Sequence, residues 1–93
     1  MNNEQLKVLD ESLMQSGTEE ILLICVEEPS ELIKAITKAE RYPGQTTKID
    51  NIVEEIADVL ICIEYLKMIY NIDQEEIENW INKKIKRIKE RVD

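Results

Sequence analysis

Ile77, Ile81, Ile85, Ile88 and Val92 recur at every third or fourth position near the end of the chain. Only an α-helix, at 3.6 residues per turn, brings residues so spaced onto one side. The same period runs through most of the preceding sequence, and period-two alternation, which a half-buried strand needs, is absent. With only two glycines and two prolines in 93 residues, there are few places for the chain to break. The expectation is an all-α fold: one domain, residues 1–93, forming a small bundle of about four helices.

Four segments follow. The first spans Asn3 to Gln15, with Leu6, Leu9 and Leu13 on one side, and ends at Ser16-Gly17. Thr18 is the expected cap of a second segment, Glu19 to Arg41, whose leading Glu19 and Glu20 suit the positive end of the helix dipole. Pro43-Gly44-Gln45-Thr46-Thr47 reads as a loop. A third segment, Lys48 to Tyr70, opens on a capping-box-like Thr47-x-x-Asp50 and stops at Asn71. Asp73-x-x-Glu76 opens the fourth, which runs to Arg91 with its isoleucine stripe expected to be buried.

Composition narrows the functional classes. Twenty acidic residues against twelve basic ones give a net charge of −8, which argues against nucleic acid or anionic lipid as a partner. The absence of histidine removes His-based acid–base catalysis, Ser-His and Cys-His nucleophile pairs, and His-containing zinc sites. Cys25 and Cys62 lie inside apolar runs without a CxxC pair and read as reduced core residues, with a single disulfide as the alternative. The longest apolar run, Ile21 to Val26, is six residues, too short to cross a membrane. The opening MNNEQLKVLDE lacks the basic-then-apolar pattern of a signal peptide, so a cytoplasmic protein is expected.

The informative acids are those that fall where apolar residues belong. At about 100° per residue, with Glu55 as zero, Asp58 lies at about −60°, Cys62 at about −20° and Leu66 at about +20°. On the second segment, with Glu28 as zero, Glu31 lies at about −60°, Ala35 at about −20° and Leu32 at about +40°. Each helix thus carries an i, i+3 acid pair on its packing face. Four unpaired carboxylates in a helical interface are costly, so a cation or protonation must compensate. Carboxylates suit a hard divalent ion, Mg²⁺ or Mn²⁺, and two antiparallel helices can converge such pairs on one cavity.

Glu27-Glu28-x-x-Glu31, 23 intervening residues, and Glu55-x-x-Asp58 together resemble the ExxE…ExxD signature of the all-α nucleotide pyrophosphohydrolases, especially the small MazG-like proteins. The surrounding EExxELIKAI and NIVEEIADVLICIEYLKMIY resemble that family too, over Glu19 to Arg91. The resemblance implies that Glu28, Glu31, Glu55 and Asp58 are Mg²⁺ ligands, with Mn²⁺ able to substitute. Glu27 would be the catalytic accessory acid, holding a second ion or orienting water. Lys84-x-x-Arg87-x-x-x-Arg91 looks like the family's late basic pattern, and would meet a triphosphate tail. The same three side chains also fit a snorkelling basic edge. Lys34 and Lys38 are either salt-bridged neighbours of the acids or phosphate contacts.

Two positions depart from the family's text. Ile88 stands where some relatives have Asn, and Pro29 sits within the acid motif. Pro29 has no N–H for the Cys25 carbonyl, so the second helix is expected either to kink or to break and restart there. The implied activity is Mg²⁺-dependent hydrolysis of a nucleoside triphosphate to the monophosphate and pyrophosphate, by a homodimer or homotetramer. The alternative is a non-catalytic acidic helical dimer that binds a nucleotide or a protein. Tyr42, Tyr65, Tyr70 and Trp80 are the aromatics available to stack a base or to pack at helix ends.

Overall fold

The computed structural model describes residues 1–44 and 46–92, with side chains at all of these except Thr46 and Thr47. The described residues form four helices and no strand: α1 (Asn3–Ser16), α2 (Thr18–Arg41), α3 (Thr46–Tyr70) and α4 (Gln74–Val92). The fold is all-α, as the periodicity predicts.

Local chemistry explains most of the boundaries. The Asn2 side chain accepts from the Gln5 amide at 2.8 Å, and the Gln5 side chain accepts from the Asn2 amide at 2.9 Å. This reciprocal box satisfies two of the donors that a helix start leaves unpaired. Gly17 is the C-cap of α1 and the residue preceding α2, with φ 90° and ψ 157°. Thr18 is therefore inside α2 rather than its cap, and no side chain caps that end. The Gly17 conformation is one that essentially only glycine adopts. A Cβ added there would meet nothing within 4 Å, so any penalty comes from the backbone alone. Gly17→Ala is expected to cost about 1–3 kcal/mol, read as a lower urea midpoint with an unchanged m-value.

The third helix already begins at Thr46, ahead of the expected Thr47 cap, whose side chain lies outside the described ones. At the other end Asn71 takes φ 54°, and the Ile72 amide donates to the Lys67 carbonyl at 2.9 Å. That left-handed cap with its backward bond terminates α3. Asp73 then caps α4 through its side chain, 3.4 Å from the Glu75 amide. Pro29 does not break α2, which runs unbroken from Thr18 to Arg41, so the break-and-restart expectation is excluded.

Packing centres on α2 and α3, joined by the turn after Arg41 and running antiparallel, since Cys25 meets Cys62 and Glu28 meets Asp58. Leu9, Ile21, Cys25, Cys62 and Tyr65 form the buried core, flanked by Leu13, Ile24, Leu66 and Ile69. The first helix lies against both α2 and α3, and the Tyr65 hydroxyl donates to Ser12 Oγ at 3.1 Å. Tyr65 is thus a packing residue. The fourth helix has no comparable neighbour within the protomer. Only Ile77 on it is half-buried, while Ile81, Ile85, Ile88 and Val92 are exposed. The expected burial of that stripe is therefore not achieved by one chain. The Cα radius of gyration is 16.1 Å, against about 12 Å for a compact domain of this length.

Candidate metal centre between α2 and α3

Glu28 on α2 and Glu55 and Asp58 on α3 each present a carboxylate oxygen within 4.8 Å of the other two. All three are half-buried in the α2–α3 interface. Their convergence follows from helix geometry. Glu28 lies about 20° around the helix from Ile21, and Glu55 about 20° from Cys62, so both point into the seam that those residues fill. Antiparallel pairing then sets Glu28, three residues after Cys25, beside Asp58, four residues before Cys62.

The electrostatics of this trio are unfavourable as they stand. Desolvation pushes the Glu28 carboxyl above its ordinary 4.5, helped by a hydrogen bond shared with Asp58 and by repulsion from Asp58, Glu55 and Glu31. Glu55 is raised from the same value, again first by desolvation and then by Asp58, Glu54 and Glu31. The Glu55 Oε2 atom is buried with no hydrogen-bond partner. A buried, unpartnered carboxylate oxygen facing two further acids calls for a cation. Three oxygen donors without nitrogen or sulfur fit a hard ion such as Mg²⁺ or Mn²⁺.

The raised values set the pH dependence of the metal-free fold. For an acid whose folded value lies above its unfolded one, the stabilising proton is fully held below the unfolded value. That contribution is lost as pH rises through the folded value. In EDTA the protein is expected to melt at progressively lower temperature as pH rises from about 4.5, the ordinary carboxylate value. Glu55→Gln should flatten part of that slope in thermal melts.

The other sequence-derived residues lie outside the trio. Glu31, expected on the packing face, is exposed and pairs with Lys34 at 3.4 Å. Its position explains this: it lies about 80° around α2 from Ile21, at the edge of the buried stripe. It is still near enough to raise Glu28 and Glu55. Lys34 is exposed and pairs with that carboxylate. Glu27 is exposed, and its carbonyl accepts from Ser30 Oγ at 2.6 Å. Lys84, Arg87 and Arg91 are exposed on α4, and among the described residues the salt bridges are Lys34–Glu31 and Lys67–Glu64. One protomer thus does not bring these cations to the carboxylates. Trp80 is exposed, with Lys83 Nζ 4.6 Å from its ring centre.

Sequence reasoning missed the interhelical thiol contact beside the trio. The Cys25 thiol donates to the Cys62 carbonyl at 3.7 Å, and burial together with Cys25 pushes the Cys62 thiol up to about 12. Both cysteines are free, and their shared direction from the acid motifs was the signal available.

Among the described residues no helix is long and apolar enough to cross a membrane. No curated protein and no solved structure matches the chain. The family model for the MazG nucleotide pyrophosphohydrolase domain matches residues 16–92, from the end of α1 through α4, and so takes in both acid-bearing helices. The chain belongs to the MazG nucleotide pyrophosphohydrolase domain family.

Proposed function

We propose that the protein hydrolyses nucleoside triphosphates to the monophosphate and pyrophosphate, with Mg²⁺ as cofactor and Mn²⁺ able to replace it, and that it works as a homodimer or homotetramer. The observation that carries this reading is the Glu28–Glu55–Asp58 trio with its orphaned Glu55 oxygen, on a chain of a pyrophosphohydrolase family. Those three side chains would hold the ion, with Glu31 at the rim exchanging Lys34 for it. When bound, the ion neutralises phosphate charge and acidifies water.

The chain's own groups supply the rest. Glu27, exposed one residue before Glu28, accepts the proton of the attacking water. Lys84, Arg87 and Arg91 meet the phosphate oxygens, and Lys34 joins them once released from Glu31. Because α4 stands apart from its own acid cluster, those three cations reach a phosphate from a second copy of the chain. Two features favour that copy. The α4 stripe is exposed. Six of the chain's twelve basic residues lie between Lys83 and Arg91, complementary to the acid-rich α2 and α3.

Pyrophosphate release from a panel of canonical and modified nucleoside triphosphates, in Mg²⁺, Mn²⁺ or EDTA, tests the reading. Release that EDTA abolishes is the expected result. Silence across the panel from folded protein that binds metal would overturn it, in favour of a non-catalytic acidic dimer.

A further inference from the structure

We infer that Cys25 and Cys62 form a covalent modification site: an intramolecular disulfide that peroxides install across the α2–α3 seam. The two side chains face each other between antiparallel helices, with the Cys25 thiol 3.7 Å from the Cys62 carbonyl. Both are free and buried in one cluster, so neither has a competing partner. The Cys25 side chain also lies against the Cys62 thiol, the adjacency that a bridge between neighbouring helices needs.

Both thiols are buried, so an oxidant enters through local opening of the seam. Cys25 is 9% exposed and Cys62 only 2%, so an oxidant meets Cys25 first. Pro29 removes the amide that would hold the Cys25 carbonyl in the α2 ladder, which weakens the helix at that turn. In the first step the Cys25 sulfur attacks one peroxide oxygen and the O–O bond breaks. Cys25 becomes a sulfenic acid and the departing hydroxide takes the thiol proton as water. The Cys62 sulfur then attacks that of Cys25. The S–O bond breaks, the S–S bond forms, and a second water leaves with the Cys62 proton. Two thiols are oxidised and one hydrogen peroxide is reduced to two waters.

The bridge closes the chain between the two cysteines into a loop and so restricts the unfolded ensemble. It also fixes the spacing of α2 and α3 one turn from Glu28 and Asp58, against the mutual repulsion of the acids. The consequence is a stabilised metal-free protein, a property separate from turnover.

The test is intact-protein mass after treating the folded wild-type chain with hydrogen peroxide and alkylating the remaining thiols. The expected product is a non-alkylated monomer lighter by two hydrogens. Its Tm should rise by about 10 °C or more and return to the starting value after dithiothreitol. Cys62→Ala should instead leave a Cys25 sulfenic acid that dimedone traps. Oxygen-adducted Cys25 beside a free Cys62, chains joined to each other through sulfur, or reaction only after urea unfolding would each overturn the inference. So would a bridge that leaves Tm unchanged. None of these readouts depends on pyrophosphate release, so failure here and failure of the proposed function are separable.

Discussion

Glu55→Gln is expected to lower metal-dependent pyrophosphate release by about 100-fold or more, since even groups behind a ligand shift metal-site function by about 10–100-fold. The substitution keeps the size of the side chain and removes its charge. It also converts the orphaned Oε2 position into an amide that no longer attracts a cation. Asp58→Asn should behave likewise, because Asp58 raises both of the other carboxyls in the trio. The diagnostic feature is the opposite sign of the two readouts. Without metal, either variant should melt at a higher temperature than the parent, since a like-charge contact has been relieved. With saturating Mg²⁺ that order should reverse, because the parent alone gains binding energy. Unchanged turnover in both variants would remove the trio from the chemistry.

A second large effect is expected on α4. Ile85→Glu should convert the proposed homo-oligomer to monomer in analytical ultracentrifugation and take its activity with it. Ile85 is 57% exposed in the protomer and sits in the middle of the stripe. Burying an isoleucine contributes about 1.5–3 kcal/mol, and a symmetric dimer counts the loss twice. Putting a carboxylate there adds desolvation on top of that loss. A surface control, Glu78→Lys, removes no apolar contact and should leave the mass unchanged. A monomeric parent, or an Ile85→Glu protein that assembles normally, would remove α4 from the interface.

Helix positions were legible because they depend on nearest neighbours along the chain. The Ile stripe, the Pro43-Gly44 interruption and Asn71 mark α4, the α2–α3 turn and the end of α3, each within two residues of the observed bounds. Caps were less legible. Asn2-x-x-Gln5 is the box that forms, whereas the positive-φ Gly17 that ends α1 also directly precedes α2 and puts Thr18 inside the helix. For the acids, angular position separated Glu28, Glu55 and Asp58 from a solvated face. It placed Glu31 too far inward, because a stripe's centre is set by what packs on it. The exposure of the α4 stripe in the protomer was not legible, since periodicity names the face that wants cover without saying whether the chain itself covers it.

That uncovered face changes what stability means for this chain. A helix whose apolar side has no neighbour in its own protomer gains its packing energy only on association, so in the proposed assembly folding and association would share one equilibrium. Dilution would then act on that assembly as urea acts on a self-sufficient domain. The melting temperature of such an assembly would be a property of how much of it is present.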